Sequence, residues 1–524
     1  MANSIVLPPP YKGENYQIPK VVIQSPYCER MLNFKPDIGA ALIRNGNDMY
    51  RNVVCERGLT LDSYSKATPE FFIMIQEVGS DLIWYNAGTG ATVLTKLGKF
   101  CDFVFTLYFN GYLMYFGDRD MVAGGSVGPQ YYDGTAWGAL TYTWPTAFNP
   151  YGGCVHKNRA YFVRQSESKY GYSKISAVSG TVTEVVLDDI VSSKCELYLI
   201  KSISLTENIV ADNVLSFIFS NGEVLVYSGS YPDSPSWSLV SRFQISAPIF
   251  NNSAIDAKGD SFILTKSEIL SIRNLYVSGY AQERATGIGS AIQPRWQQIV
   301  DKWLTVSGST IVSYFNGIYD QTNDRLIINT PGYVDPETNE ITEATLQLVY
   351  DFRLGSWYEY SQNATSSGGT AIGNKLCYHN GSSYWNGYDG LYSYIVELEG
   401  KTDFLDDELA PSGTKAMDYE LITAPLPINK YGATAIDGVE MIVKSDLYPQ
   451  TNVSFIADLG RQETDAQPLI DQGTTITKPM YNVGINGASV VQMKVSGSTV
   501  SGRSVGLEIY SINVWYNEGA RGSR

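Results

Sequence analysis

The sequence is poor in the side chains that most enzymes and metalloproteins use. Of its 524 residues only two are histidines, charged residues make up 17%, and the six cysteines show no CxxC spacing. In a chain of this size, scattered cysteines are typical of small buried apolar positions, so they predict neither a disulfide framework nor a thiolate metal site. The cysteines are Cys28, Cys55, Cys101, Cys154, Cys195 and Cys377.

Long apolar runs are missing as well. Nowhere do about 18 apolar residues follow one another, so the sequence predicts no membrane-spanning helix. The opening MANSIVLPPPYKGENYQIPK has no apolar segment behind a basic start, which predicts that there is no signal peptide. Pro8–Pro10 favours an extended polyproline-like arm, which either lies along a neighbouring subunit or forms a solvated tail.

The motifs of nucleophilic, nucleotide-binding and zinc-dependent enzymes are absent too. There is no GxSxG in a strand-to-helix context, no HExxH, no Walker loop and no GxGxxG that follows a strand and opens a helix. His156 and His379 lie in hairpin contexts, where a structural histidine is expected and not a catalytic base. Val122–Pro129 is predicted to be a loop, with phosphate binding as the weaker alternative. We therefore predict that the protein is not an enzyme and has no catalytic, cofactor-binding or metal-binding residues.

Aromatic residues and glycine are what the sequence has in quantity: 13% of its residues are aromatic, with 38 Tyr, and there are 48 Gly. This composition favours half-buried strands joined by glycine turns, because the best helix formers are not enriched. We predict an all-β protein. The formal net charge of −15 comes without long runs of like charge, which argues against a surface that grips phosphates through many ionic contacts.

From about Leu59 to Val396 one unit recurs: two short stretches of alternating apolar residues joined by a turn, then a polar loop. The turns are centred on Asn110–Gly111, Lys157–Asn158, Asn221–Gly222, Lys258–Gly259, Asn323–Asp324 and Asn380–Gly381. Asn-Gly is the strongest signal, because a two-residue hairpin turn needs positive φ at both positions. The irregular spacing excludes a strict WD-type repeat. Repeated antiparallel units still predict a β-propeller, with about six to eight blades.

Two segments depart from this pattern. Ile288–Leu304 repeats its large apolar residues at helical spacing, which predicts a short amphipathic helix packed on the propeller rim. After Gly400 an acidic stretch leads into well-alternating strands, which predict a C-terminal antiparallel β-sandwich-like domain or a sheet packed against the propeller. The predicted domains are an N-terminal extended arm (1–58), a β-propeller (59–400) and a C-terminal β-sheet domain (401–524).

Carboxylates are the one catalytic resource that remains, because β-propellers host glycosidases in which two acidic groups do the work. The phrase Tyr131–Trp137 has the residue types of a sialidase Asp-box but the wrong spacing. The acidic segments Asp320–Asp324, Asp403–Glu408 and Tyr388–Tyr392 lack the order of an EF-hand loop, so turn capping is expected of them and not calcium binding. The abundant Tyr and Trp residues suit either a sugar-stacking surface or core packing, and core packing explains most of them.

An ordered series of short phrases carries a resemblance to a known family. The phrases are Asn33–Phe34 followed by Arg44 and Gly46; Tyr132–Thr135 with Trp137; Asn158–Val163; Ser220–Trp237; Pro248 with Gly259, Asp260, Leu264 and Thr265; Pro294–Leu304; and Leu348–Tyr360. Each phrase is degenerate, and it is their shared order that is specific. In this order the sequence resembles the tail nozzle proteins of short-tailed bacteriophages. It departs from them at Lys266–Ser267, where the family has glycine, and after Gly400 it matches only in its sheet-like character.

The resemblance implies a structural virion protein that forms a sixfold ring, a homohexamer, below the head-to-tail adaptor and continues the DNA ejection channel. It implies the adaptor, contacted by residues 1–58, and tail fibre or tip proteins as partners. Double-stranded DNA is expected to pass through without stable binding. The protein would reside in the virion tail after assembly in the host cytoplasm, with no membrane span and no cofactor.

The alternative is a carbohydrate-binding or glycoside-cleaving β-propeller that serves as a receptor module. A regulatory propeller of a cell is disfavoured by the irregular repeat and the order of the phrases.

Overall fold

The computed structural model describes most of the chain. It covers residues 3–17, 27–53, 57–65, 69–76, 81–96, 104–117, 128–205, 213–251, 253–305, 310–311, 315–334, 341–343, 345–361, 372–388, 393–400, 405–407, 414–427, 434–445, 451–458, 460, 462–469, 480–488, 490–499 and 507–518. Within these residues, strands dominate and the three α-helices are short. The prediction of an all-β protein is confirmed.

Seven small antiparallel sheets follow one another along the chain and form the blades of a β-propeller. Blade 1 contains Arg57–Tyr64, Glu70–Gln76, Leu82–Asn86 and Thr92–Lys96; blade 2 contains Val104–Phe109, Tyr112–Gly117, Gln130–Tyr132 and Trp137–Ala139; blade 3 contains Pro150–His156, Arg159–Arg164, Lys169–Tyr172 and Thr183–Val186; blade 4 contains Leu197–Ser204, Asn213–Phe219, Glu223–Ser228 and Ser238–Gln244. Each of these four sheets is a meander of neighbouring strands, the arrangement expected of a hairpin array.

Blades 5 and 7 depart from this plan, whereas blade 6 keeps it but is part of a larger sheet. Blade 5 has three strands, Ala254–Ala257, Asp260–Leu264 and Ile269–Ser271; blade 6 has Asn316–Asp320, Arg325–Asn329, Leu346–Asp351 and Ser356–Ser361; blade 7 has Ile372–His379, Ser382–Tyr388, Ser393–Glu397 and Asp48–Val53. The outermost strand of blade 7 therefore comes from the beginning of the chain and pairs antiparallel with Ser393–Glu397. Neighbouring blades contact one another all the way round, including blade 7 with blade 1. The strand from the beginning of the chain therefore joins the last blade to the first through hydrogen bonds and not through a covalent bond.

Apolar clusters fill the interfaces between neighbouring blades. Trp84 packs between blades 1 and 2, Trp296 and Trp357 between blades 5 and 6, and Trp385 between blades 6 and 7, all almost completely buried. A buried tryptophan removes a large apolar area from water, so these residues dominate the local packing energy. The cluster between blades 6 and 7 continues into the core of the C-terminal sheets.

Most of the predicted hairpin turns have the predicted backbone. Both central residues have positive φ at Asn110–Gly111, Lys157–Asn158, Lys258–Gly259 and Asn380–Gly381. The Asn221–Gly222 turn differs, since only Gly222 has positive φ and three residues, 220–222, join the two strands. A three-residue hairpin loop needs a left-handed residue only at its end. Asn221 instead uses its side chain, whose Oδ1 accepts from the Glu223 N–H at 2.9 Å.

Helices follow the third strand of blade 5 and pack against that blade. They are α1 (Ile272–Ser278), α2 (Tyr280–Thr286), a 3-10 turn (Ser290–Ile292) and α3 (Gln293–Thr305). The prediction of a helix within 288–304 is confirmed by α3, whereas α1 and α2 were not predicted. The indole N–H of Trp296 on α3 donates to Thr265 O at 2.9 Å, and that of Trp357 in blade 6 donates to Ile288 O at 2.6 Å. These two bonds fix the helical segment between blades 5 and 6.

Two further sheets pack face to face as a sandwich. The first contains Asn3–Leu7, Phe34–Asp37, Ala40–Ile43, Thr434–Ser445, Met480–Ala488 and Leu507–Glu518; the second contains Cys28–Leu32, Asp418–Thr423, Leu426–Pro427, Thr451–Ala457, Gln462–Glu463, Gln467–Pro468 and Val490–Ser498. Phe34 from the first sheet and Tyr419 from the second meet edge to face, with ring centroids 5.7 Å apart. The sandwich thus combines strands from both ends of the chain.

The second sandwich sheet is continuous with blade 6. Its strand Cys28–Leu32 pairs parallel with Ser356–Ser361 through Leu32 and Glu359, and antiparallel with Asp418–Thr423. The N-terminal segment, residues 3–17 and 27–43, was predicted as part of an extended arm, and in the structure its strands pair with strands of its own chain. The seven remaining strands of the described residues form three small sheets. These are Tyr142–Thr143 with Gly180–Thr181; Thr310–Ile311 with Tyr333–Val334 and Ile341–Glu343; and Leu405–Asp407 with Thr414–Ala416.

Candidate functional site: the junction of propeller and sandwich

Asn33 sits where blade 6 meets both sandwich sheets. It is fully buried between two strands of the N-terminal segment and has a left-handed backbone, φ 56°. Its side-chain Nδ2 donates to Ser361 Oγ and to Asp418 O, both at 2.6 Å. Its Oδ1 accepts from Arg44 Nε at 3.1 Å and from the Ser361 N–H at 3.0 Å. The amide therefore uses its donors and its acceptor on three separate parts of the fold.

Arg44 is completely buried and continues this junction. Its Nη1 donates to Asn45 O at 2.8 Å and to Asn47 Oδ1 at 3.2 Å, and its Nη2 donates to Ser361 O at 3.2 Å. The guanidinium also lies 5.2 Å from the ring centroid of Tyr360 in blade 6. A planar fork of donors suits such a site, because one side chain can hold several carbonyls in fixed directions.

A buried network of ion pairs lies next to Arg44. Arg325 Nε is 2.8 Å from Asp320 Oδ2, and its Nη1 is 2.5 Å from Glu399 Oε2. Lys35 Nζ reaches the other oxygen of Glu399 at 3.2 Å. Burial by itself would raise the pKa of Glu399, but the positive charges of Arg325, Lys35 and Arg44 hold that pKa well below its usual range. Glu399 therefore stays ionised, which the network requires.

The N-terminal segment is anchored by a second buried acidic side chain, that of Glu14. The Glu14 N–H donates to Trp357 O at 2.8 Å, and Glu14 Oε1 accepts from the Met31 N–H at 2.5 Å. Burial and the nearby Glu359 raise the pKa of Glu14 well above its usual value. Arg295 on α3 donates to Glu359 Oε1 at 2.9 Å. Helix α3, blade 6 and the N-terminal segment thus meet at one charged cluster.

The two histidines occupy structural positions. His156 is buried, with its Nδ1 2.8 Å from Ser202 Oγ and its Nε2 3.2 Å from Gly229 O. Burial lowers the pKa of His156 to about 4, so it is neutral near pH 7. His379 stacks on Phe71, with centroids 4.8 Å apart, and burial lowers its pKa too.

The acidic segment Asp320–Asp324 caps its own turn. Asp320 accepts from the Asn323 N–H at 3.1 Å as well as from Arg325, and Asp324 pairs with Lys258 and accepts from Tyr319 OH. Within Asp403–Glu408 only the strand Leu405–Asp407 is described. Most of Tyr388–Tyr392 and Val122–Pro129, together with Cys55 and Cys101, lies outside the described residues.

The phrase from Tyr132 to Trp137 also builds local structure. Asp133 Oδ1 accepts from the Thr135 N–H and the Ala136 N–H, both at 2.8 Å, and closes the turn. The Trp137 ring packs on Phe72 and Tyr132, with centroids 5.3 and 5.2 Å away. These residues therefore join the outer part of blade 2 to blade 1.

Other candidate chemistry is limited in the part of the chain that the structure describes. Among these residues no group of three or more His, Cys, Asp or Glu side chains is placed to hold a metal ion. Cys28, Cys154, Cys195 and Cys377 are free thiols. No helix within the described ranges is long and apolar enough to cross a membrane.

Of the residues quoted for the resemblance, Asn33 and Arg44 are brought together with Ser361, which directly follows the phrase Leu348–Tyr360. The sequence pattern gives no indication of the roles of Arg325, Glu399, Glu14 and Glu359. The position of Arg325 directly before the apolar run Leu326–Ile328 is a signal that it is buried, but its partner Glu399 is 74 residues away.

No family model matches the sequence, and no curated protein matches it. The β-propeller domain of Cps50 (Swd1) from Myceliophteria thermophila is 8% identical, with a TM-score of 0.39 over 67% of this chain and 99% of that one. Raptor from Chaetomium thermophilum is 10% identical, with a TM-score of 0.39 over 68% of this chain and 29% of that one.

A third solved structure, exo-β-1,3-galactanase from Phanerochaete chrysosporium with galactose, is 9% identical, with a TM-score of 0.25 over 78% of this chain and 95% of that one. At these identities and TM-scores the similarities assign neither a family nor a role to this chain. The ring of seven sheets, closed by the strand Asp48–Val53, defines the chain as a β-propeller protein.

Proposed function

We propose that this chain is a non-catalytic structural subunit of a short-tailed phage tail, the nozzle that continues the DNA channel below the head-to-tail adaptor. The observation that carries the proposal is the junction at Asn33 and Arg44. These two residues open the ordered series of nozzle-like phrases, and they hold the propeller and the sandwich together through buried hydrogen bonds.

A tail component must keep its shape while a genome passes it. A buried polar network in which every group is hydrogen-bonded favours one packing arrangement over others, because any other packing leaves a charge or donor unsatisfied. Arg44, Arg325 and Glu399 form such a network across the junction. It supports a role in which the sandwich and the propeller act together.

The charge of the chain suits a conduit. Lys and Arg total 38 against 53 Asp and Glu, which leaves a net charge of −15. A surface of this sign repels phosphate and makes few of the ionic contacts that hold DNA with strong salt dependence. We therefore expect DNA to pass the assembled ring without stable binding.

Native mass measurement tests the ring directly. We expect the purified protein, alone or with its adaptor, to give a species near six times the chain mass of 57.9 kDa. A ring requires a heterologous interface that closes by rotation, so a discrete mass is expected and not a ladder. A protein that stays monomeric under both conditions rules out the nozzle proposal.

Image reconstruction of the virion tail provides the positional test. The proposal expects density for the propeller directly below the adaptor, around the axis of the tail. A variant with Asn33 and Arg44 both changed to alanine should fail to complete tails, whereas Arg353→Ala, at an exposed side chain of blade 6, should complete them. Normal tails from the double variant would show that the junction has no role in assembly.

A further inference from the structure

A single serine, Ser271, connects blade 5 to both of the short helices that follow it. It is the last residue of the blade, and its Oγ accepts from the Asn274 N–H at 3.0 Å, which caps the start of α1. The same hydroxyl donates to Asp260 Oδ2 in blade 5, and the Ser271 N–H donates to Glu283 Oε1 on α2 at 2.8 Å. Ser271 therefore holds two acidic side chains at once, one from the blade and one from α2.

Glu283 is enclosed by the end of its own helix. The residue is only 3% exposed. Directly after α2, the Gly287 N–H donates to Glu283 O at 2.6 Å. A Cβ at Gly287 would lie 2.5 Å from Glu283 Oε1, so the chain passes close over the carboxyl group. Because water has little access to this group, ionising it here costs more free energy than ionising it in solution.

The surroundings of Glu283 include more acidic groups than free cations. The titratable and charged groups around it are Asp260 of blade 5, Glu268 directly before the last strand of that blade, Arg273 of α1, Tyr280 and Arg284 of α2, and Tyr350 of blade 6. Both arginines have other partners. Arg284 Nε lies 3.3 Å from Glu268 Oε2, and the Arg273 guanidinium donates to two backbone carbonyls. An ionised Glu283 therefore adds a negative charge beside two other acidic side chains.

The protonation of Glu283 is consequently shifted toward neutral pH. Burial, together with the charges of Asp260 and Glu268, raises the pKa of Glu283 from 4.5 to about 7, although hydrogen bonds from Ser271 and Asn274 oppose the rise. A raised pKa means that the protonated group stabilises the closed structure, and that this stabilisation is lost as pH rises to the folded-state value. The loss falls between pH 4.5 and about 7.

The effect of this ionisation is confined by the way in which α3 is held. The indole N–H of Trp296 donates to Thr265 O, and that of Trp357 donates to Ile288 O. Neither bond contains a group that titrates near neutral pH, so both persist when Glu283 ionises. The ionisation therefore acts on α1 and α2, which depend on Ser271 and Glu283, and leaves α3 in place.

We propose that residues 271–287 form a proton-dependent clasp on blade 5, which is closed when Glu283 is protonated and loosened when Glu283 is ionised. The clasp goes beyond the structural role proposed above. It makes one helical segment respond to pH near neutrality while the ring of blades keeps its shape. Because it does not depend on ring formation, it can be tested on the purified full-length chain.

Hydrogen exchange followed by mass spectrometry measures the opening of the clasp. Labelling times at each pH are corrected for the intrinsic pH dependence of amide exchange. With a pKa of about 7 in the closed form and 4.5 in the open form, the opening equilibrium of the clasp should rise about tenfold between pH 6 and pH 8. The amides of α3 should show no such change.

Two variants identify the group responsible. Glu283→Gln keeps the size of the side chain and an acceptor for the Ser271 N–H but cannot ionise, so exchange in its clasp should stay slow at both pH values. Asp301→Asn removes an exposed carboxylate of α3 and is the matched control, which should behave like the wild type. Unfolding curves establish that each variant is folded. If Glu283→Gln does not fold, the pH profile of the wild type decides by itself.

Three results overturn the proposal: a wild-type clasp whose corrected exchange is the same at both pH values, a Glu283→Gln variant that keeps the pH dependence, or an equal acceleration in α3, which would indicate a global change. The native mass is measured separately. A failure of the clasp and a failure of the nozzle proposal are therefore distinguishable.

Discussion

Arg325 Nη1 lies 2.5 Å from Glu399 Oε2; the Arg325 side chain is buried, and the Glu399 side chain is only 11% exposed. Arg325 belongs to blade 6, whereas Glu399 follows the third strand of blade 7. Lys35 from the first sandwich sheet reaches the same carboxylate. One carboxylate therefore connects two blades and the sandwich. Because a buried ion pair leaves an uncompensated charge when one partner is removed, this place is sensitive to substitution.

Glu399→Gln should lower the free energy of unfolding by about 3–5 kcal/mol near pH 7, which denaturant titration measures. Since the pKa of Glu399 is lowered in the folded state, its contribution is present above the usual value of 4.5 and is lost as pH falls below it. The difference between wild type and variant should therefore shrink in acid. Glu167→Gln, at a partly exposed carboxylate that pairs with Arg164 and Lys169, is the control and should change stability by no more than about 1 kcal/mol. A difference independent of pH would contradict the role of the Glu399 charge.

Substitutions at Asn33 separate its hydrogen bonds from its backbone. Asn33→Gly removes the four side-chain bonds but tolerates φ 56°, whereas Asn33→Ala removes the same bonds and is strained at that φ. Both should destabilise the protein by a few kcal/mol, because Arg44 loses a partner in a buried site. The free energy of unfolding of the alanine variant, measured by thermal or urea unfolding, should be lower by a further ~1 kcal/mol. Equal stabilities would mean that the left-handed backbone contributes nothing.

The small number of histidines makes it possible to measure the pKa of His156 directly. In proton NMR, His156 should titrate with a pKa of about 4, because burial opposes its protonation. In the unfolded chain it takes up a proton near 6.5, so its contribution to stability is present above that pH and falls between about 6.5 and about 4. His156→Gln should flatten this part of the stability curve. A His156 resonance that titrates near 6.5 in the folded protein would refute the buried, neutral state.

Gly222 and Gly39 form a matched pair for testing the hairpin loop of blade 4. Their φ values are similar, 87° and 83°, but a Cβ at Gly222 would lie 2.2 Å from Ile245 O, whereas a Cβ at Gly39 would meet nothing within 4 Å. Gly39→Ala should cost ~1 kcal/mol from its backbone alone. Gly222→Ala should cost clearly more in urea unfolding, because the loop must also move away from a carbonyl. Similar losses of stability in the two variants would show that the loop can move without an energetic penalty.

Local features of the fold were predictable because they depend on neighbouring residues. The alternation of apolar residues fixed the all-β class, and the pairs Asn110–Gly111 and Asn380–Gly381 marked turns whose φ values are both positive. The helical spacing of Trp296 and Val300 indicated α3, since both face the same cluster. Helices α1 and α2 were missed, because neither is longer than seven residues and each carries little periodicity.

The tertiary structure decided what depends on distant partners. Local pattern could not show that Asp48–Val53 closes blade 7, because the strand it pairs with, Ser393–Glu397, lies more than three hundred residues later. Nor could it show that Asn33 binds Ser361 and Asp418, or that Lys201 pairs with Asp256. The sequence by itself determined strands, turns and the absence of familiar catalytic motifs, whereas the arrangement of its few charged groups follows from long-range packing, since burial forces each charge to find its partner.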